Sequence, residues 1–190
     1  MSLISVSDVM RWVPQATERE ELVAEVIGMA QARAEAYCKR KLELSQYTDY
    51  IDVTSDEDWL LLSNYPVVVS NDKPVVVTLD PDGSKQVLGS NAYDIDTLGG
   101  MIIRVDGYNW PVGQRAVKVE YYAGYTSDTC PVDIKQALLQ IASWILESRG
   151  VVGVSDQSVG GITTRYEPVV NGLPVSVGSL LDPYRAVTIR

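Results

Sequence analysis

Ala116-Val117-Lys118-Val119-Glu120-Tyr121-Tyr122-Ala123-Gly124-Tyr125, followed after a short polar gap by Pro131-Val132-Asp133-Ile134-Lys135-Gln136-Ala137-Leu138-Leu139-Gln140-Ile141-Ala142-Ser143-Trp144-Ile145-Leu146-Glu147, decides the fold class of this chain. The first segment is rich in β-branched and aromatic residues and reads as a strand. The second is a helix: Pro131 suits a first helical turn, Ile134, Ala137, Leu138, Ile141, Ala142 and Ile145 make one apolar stripe, and Gly150 ends it. At about 100° per residue, Leu139 and Leu146 fall on one flank of the stripe and Trp144 on the other, which widens the apolar arc to roughly 220°. Two readings of that arc stand: a helix central to its own subunit, or one packed on its own core and on a neighbouring chain.

Upstream, a capping serine and a short amphipathic segment ending in Arg11-Trp12 are stopped by Pro14. Thr17 and Glu20 form a capping box, acidic residues crowd the following turn, and Val23, Ile27, Ala30, Ala34 and Tyr37 recur at helical spacing. This predicts a long helix over about residues 18–41, its charge pattern completed by Arg40 and Lys41. Residues 46–123 change period to short β-rich runs separated by turn residues, including Asp80-Pro81-Asp82-Gly83-Ser84 after Val75-Val76-Val77-Thr78-Leu79, the signal of a hairpin. Residues 151–161 carry too many glycines for a stable strand and read as an arm or loop, and Val177, Leu180, Leu181 and Tyr184 form a small apolar face on a short helix stopped at Pro183. The expected fold is α+β: a small helical bundle of two long helices plus short terminal helices (1–45 and 124–150), a large antiparallel β insertion between the long helices (46–123), and an extended C-terminal arm with a short helix (151–190).

Composition limits the chemistry. Across 190 residues and 20.9 kDa there are 16 Lys+Arg, 25 Asp+Glu and no histidine, a net charge of −9 and a pI near 4.5. Such a chain lacks the basic footprint of a phosphate-gripping or anionic-membrane-binding protein, and the absence of histidine removes Ser-His-Asp and Cys-His nucleophiles and His-ligated metals. Cys38 and Cys130 lie outside any CxxC spacing and read as reduced apolar residues. The first residues show no basic segment of a secretory signal and no apolar run approaches the ~20 residues of a membrane span, so a soluble, cytosol-made chain without a membrane is expected. Asp94 and Asp96 share one strand face and could act as an acid–base or cation-binding pair, but no third ligand supports them and a solvated face is the favoured reading; the same holds for Asp56-Glu57-Asp58. The glycines at 150–161 match neither dinucleotide nor phosphate-loop spacing, and Gly83-Ser84-Lys85 belongs to a turn. We expect no enzyme activity, no catalytic residue, no cofactor and no metal.

The order of elements, together with Ser7-Asp8, Ala36-Tyr37-Cys38-Lys39-Arg40, Val119-Glu120-Tyr121-Tyr122-Ala123-Gly124-Tyr125, Cys130-Pro131-Val132-Asp133-Ile134-Lys135-Gln136-Ala137 and Leu180-Leu181-Asp182-Pro183-Tyr184-Arg185, resembles the head–tail connector (adaptor, or head-completion) family of tailed bacteriophages. The resemblance implies a structural virion protein of the neck: a homo-oligomeric ring of roughly twelve subunits beneath the capsid portal, bridging head to tail. Its implied partners are the portal protein, a stopper or other tail-side neck protein, and genomic DNA that passes through the lumen without specific binding. Val177, Leu180, Leu181, Pro183, Tyr184 and Arg185 would contact the portal or a neighbouring subunit, and Leu139, Trp144 and Leu146 are the subunit-interface candidates. Removing residues 174–190 is then expected to leave the subunit folded and to abolish assembly. Other readings are a different neck ring, such as a stopper or tail terminator, and a β-rich ligand-binding or adhesin-like module using Trp59, Trp110 and exposed tyrosines.

Overall fold

Ser5 starts the first helix, α1 (Val6–Trp12): its hydroxyl accepts the Asp8 amide at 3.2 Å while the Asp8 carboxylate accepts the Ser5 amide at 2.9 Å, a reciprocal capping box. A computed structural model describes residues 2–13, 20–54, 58–147, 156–159, 162–165 and 169–186. Helix α2 (Glu20–Cys38) ends earlier than its charge pattern predicts. Lys39 turns left-handed at φ 55° and the Arg40 amide donates back to the Glu35 carbonyl at 3.3 Å, the hydrogen bond that closes a helix through a left-handed residue.

The chain divides into two compact units, Met1–Arg40 with Thr126–Arg190, and Lys41–Tyr125. The second is built from β1 (Ser45–Val53), β2 (Trp59–Leu61), β3 (Val67–Val68), β4 (Val76–Leu79), β5 (Gln86–Val87), β6 (Tyr93–Asp96), β7 (Met101–Arg104) and β8 (Gly113–Ala123). The long β8 is its spine, pairing with β1 along one edge and with β3 and β4 along the other, while β5 completes a five-stranded antiparallel sheet. A three-stranded sheet, β2-β7-β6, is also antiparallel. Along β1, Tyr47, Asp49, Ile51 and Val53 turn inward and Gln46, Thr48, Tyr50 and Asp52 outward, the period expected of a sheet wet on one side. The register slips between Ile51 and Val53, where Arg115 sits at φ 51°, its amide bound to the Asp52 carboxylate at 2.6 Å. Both sheets supply one core, in which Leu60 and Ile102 from the smaller meet Val77, Val117, Val119 and Tyr121 from the larger.

The ends of this unit are tied to each other. The Tyr125 amide donates to the Leu42 carbonyl and the Leu44 amide to the Tyr125 carbonyl, each at 2.8 Å. Gly124, at φ 108°, lets the two backbones meet: a Cβ there would stand 2.6 Å from the Glu43 oxygen and 2.7 Å from its carbonyl carbon.

In the first unit, α3 (Val132–Glu147) packs against α1, against α2 and against α4 (Val175–Leu181), which runs into a 3-10 turn, Asp182–Tyr184. Its buried residues are Ile134, Ala137, Leu138, Ile141, Ala142 and Ile145, the stripe read from the sequence. Residues 151–155, 160 and 161 of the glycine-rich segment lie outside the described residues. Residues 156–159 depart from the expected loop, because β9 (Asp156–Val159) and β10 (Ile162–Arg165) form an antiparallel ladder in which Val159 faces Ile162. Valine, isoleucine and threonine in these two runs favour the extended backbone that the ladder requires. β11 (Val169–Val170) and β12 (Leu173–Pro174) make another, with Asn171 at φ 54° and Gly172 at φ 80°, the left-handed pair of a tight hairpin turn. The terminal helix is not stopped at Pro183, which instead sits inside the 3-10 turn.

Gly124→Ala must strain a left-handed backbone and push a methyl group into the Glu43 carbonyl. We expect a loss of about 2–4 kcal/mol in urea unfolding, with Gly83→Ala, at φ 89° and with open space around it, costing clearly less.

Candidate interaction surfaces

The carboxylates singled out in the sequence are occupied by local structure. Asp96 accepts the amides of Leu98 and Gly99 at 3.1 and 3.0 Å and so holds the turn from β6 to β7, while Asp94 accepts the Ile95 amide at 2.8 Å. Asp49 accepts the Tyr121 hydroxyl at 2.8 Å and the Ser63 amide and hydroxyl at 2.7 and 2.6 Å, a knot that fastens the loop after β2 to the β1–β8 pair. Residues 55–57, which include two of the three acids at 56–58, lie outside the described residues. Among the described residues, no group of three or more His, Cys, Asp or Glu converges. Both cysteines are buried thiols, and burial pushes each up to about 11. Trp110 is also removed from the surface, its ring buried and its indole N–H donating to the Asp58 carbonyl at 3.0 Å, so a ligand platform built on it is excluded.

The terminal segment is docked on its own subunit. Val177, Gly178 and Leu181 are the buried face of α4. A side chain at Gly178 would come within 3.1 Å of the Tyr37 hydroxyl, so the glycine permits close approach to α2. Around this contact, the Tyr37 hydroxyl donates to Asp182 at 2.7 Å, the Arg185 guanidinium lies 5.1 Å over the Tyr37 ring and 3.6 Å from Asp182, and Arg40 Nε donates to the Tyr184 carbonyl at 2.8 Å. The Ala186 amide caps the Cys38 carbonyl at 2.8 Å, completing the end of α2. The hydrogen bond to Asp182 holds the Tyr37 hydroxyl above its ordinary pKa. Of the six residues predicted to contact a partner, Val177 and Leu181 are buried, Leu180 and Tyr184 are half-buried, and Pro183 and Arg185 are exposed. Residues 174–190 include Pro174, Val177 and Leu181, which are buried in the helical core, so their removal is expected to cost stability as well as assembly.

Leu139, Trp144 and Leu146 are all half-buried, since α1, α2 and α4 surround α3 and cover much of its wide arc. Leu139 lines a groove of about 260 Å³ with Ile4, Asp8, Arg11, Trp12 and Lys135. Trp144 lines a second with Trp12, Gln140, Pro174 and Val177, and the Arg33 guanidinium stacks 4.8 Å over its ring. Trp12, 51% exposed, belongs to both grooves and was not among the sequence candidates. A large aromatic residue just before Pro14, beyond the stripe that buries Val9, was its signal.

The three-stranded sheet carries another apolar surface. Trp59 faces Ile103 and Leu61 faces Met101 across the β2–β7 ladder, on the side opposite buried Leu60 and Ile102. Trp59 and Leu61 are 40% and 37% exposed. In the next strand the same rows continue to Asp94 and Asp96.

Comparison with known proteins places this geometry. No family model and no curated protein matches the sequence. Solved structures do match. A chain from the neck of an empty GTA particle, computed with C6 symmetry, aligns with a TM-score of 0.59 over 90% of this chain and 81% of that one, at 16% identity. A chain from the virion of the native gene transfer agent gives 0.60 over 90% and 80%, also at 16% identity, and one from the neck of the native GTA particle computed with C12 symmetry gives 0.58 over 94% and 91% at 17% identity. At such identities the likeness is one of fold, and it extends over nearly the whole chain.

Two expectations follow. Leu181→Ala removes a fully buried side chain and should cost about 2–5 kcal/mol in unfolding experiments, whereas Arg185→Ala, which breaks an exposed pair, should stay within about 1 kcal/mol. The pH profile has a defined shape. Cys38, Cys130, Tyr37, Tyr93 and Tyr121 hold their protons more tightly when folded, so the stability they contribute is complete below their unfolded pKa values and is lost as pH rises from about 9 through their folded values. Asp8, Asp82 and Asp106 are lowered from 3.8, Asp8 and Asp82 chiefly by hydrogen bonds from neighbouring serines and Asp106 by Arg104; their contribution is present above that value and lost as pH falls through the folded ones. With no histidine, the urea midpoint should be level from about pH 6 to 8; a slope in that window would contradict this assignment.

Proposed function

We propose that this chain is a structural, non-enzymatic subunit of the neck of a tailed-phage-like particle, acting as a head–tail adaptor. In this reading it forms a ring of roughly twelve copies beneath the capsid portal, receives a stopper or other tail-side protein, and surrounds the path of the DNA. One observation carries it: a chain of two units whose fold follows that of chains in GTA neck and virion structures over 90–94% of its length. The order of sequence features named above, from Ser7-Asp8 to Tyr184-Arg185, supports the same assignment independently. The charge of −9 is consistent with a conduit, since Lys and Arg contacts to phosphate would retard a sliding duplex by salt-dependent attraction. Portal or neighbour contact then falls to the exposed tip of the terminal segment, Pro183 and Arg185 with half-buried Leu180 and Tyr184, whereas Val177 and Leu181 support that tip from within.

The test is direct. The tagged chain, produced together with the portal protein and capsid of its own particle, should co-purify with portal and appear by electron microscopy as a ring at a single capsid vertex. Binding to tail tube alone would make it a terminator, binding only to a preformed adaptor ring would make it a stopper, and a monomer that ignores every particle component would overturn the neck assignment.

A further inference from the structure

Two surfaces described above are complementary and lie on different units of the chain. On Lys41–Tyr125, the outer rows of the β2-β7-β6 sheet present Trp59, Leu61, Met101 and Ile103, flanked on the edge strand by Asp94 and Asp96. A water-facing side of an antiparallel sheet ordinarily alternates to polar residues; here, among the described residues, it carries exposed Trp59 and Leu61 beside half-buried Met101 and Ile103, an apolar surface. On the helical unit, the groove beside α1 is lined by Ile4, Trp12 and Leu139 and edged by Arg11 and Lys135. Asp8 lines it too, its carboxylate bound by the Ser5 amide at 2.9 Å and the Ser5 hydroxyl at 2.6 Å; with two cations against this one anion the groove keeps an excess of positive charge.

We propose that copies of this chain associate head-to-tail, the Trp59–Ile103 sheet face of one seated on the Trp12–Leu139 groove of the next. The occupant is a second copy because the chain itself supplies both halves: an apolar centre with an acidic edge, and an apolar centre with a basic edge. Opposite charges at the rim fix partner and register, while the buried aromatic and aliphatic residues supply the affinity. Each copy gives one surface and accepts the other, a heterologous contact, which is the kind that closes into a ring. The inference rests on the ring reading and names the surfaces that build it.

Lys135→Glu, Asp94→Lys and Trp59→Ser, each a surface change checked by circular dichroism for native folding, are compared with the double exchange Asp94→Lys/Lys135→Glu. Self-association is measured by light scattering for the free protein and by copy number on purified portal-containing particles. Each single variant should weaken association by roughly tenfold or more, and the double exchange should recover at least part of it. Rings that form equally well in all single variants, or a double exchange no better than its parents, would overturn the interface and leave the neck assignment standing. A wild-type chain that stays monomeric both free and beside portal would overturn both.

Discussion

The backbone crossing at Gly124 is the constraint on which the arrangement of this chain depends. An insertion of more than eighty residues can interrupt a helical unit only if its incoming and outgoing strands meet, and here Leu42 and Leu44 share hydrogen bonds with Tyr125 at a separation that excludes a Cβ. With the ends of Lys41–Tyr125 side by side, α2 and α3 can pair as neighbours although the whole β unit lies between them in sequence. On the helical side, α2 is ended by Lys39, which turns left-handed at φ 55°.

What could be read in advance divides along physical lines. The stripe of α3 was legible because six buried residues repeat at a helical period over four turns, a pattern that no alternative structure accommodates. The hairpin of β4 and β5 was legible from its turn, where Asp82 accepts the Ser84 amide at 3.1 Å as that residue pattern requires. The pairs β9–β10 and β11–β12 were not, because strands of two to four residues have no measurable period and their glycines read as breakers, although Gly160-Gly161 and Asn171-Gly172 are the residues that short hairpins use. The apolar side of β2-β7-β6 escaped for a different reason. Trp59 and Leu61 flank Leu60, so composition cannot say which side is buried until the register to Met101, Ile102 and Ile103 is known. Trp12, the residue common to both grooves, lies at the end of a helix of seven residues, too short to define a face.

The polar side chains of this protein organise backbone. Asp8, Asp82 and Asp96 each accept amide hydrogens of their own turn or helix start, and Asp106 takes the Arg104 guanidinium through both oxygens, at 2.8 and 2.9 Å. A carboxylate engaged in this way is hydrogen-bonded and geometrically fixed by its own turn or helix start. Asp94 and Asp96, which share one strand face, are engaged with backbone amides in the same manner.

The terminal segment passes from full burial to exposure within a few residues. Val177 and Leu181 lie in the core of the helical unit, where apolar contact is strong and independent of salt, so α4 is a fixed part of that unit. One turn further on, the Arg185–Asp182 pair is largely open to water, where such a contact is worth little and is readily exchanged for another. Pro183 and Arg185 are thus held at the surface by a helix whose own place is set by burial. The cost of ordering the exposed tip is therefore met mainly by the buried contacts of α4 and not by the tip's own polar pairs.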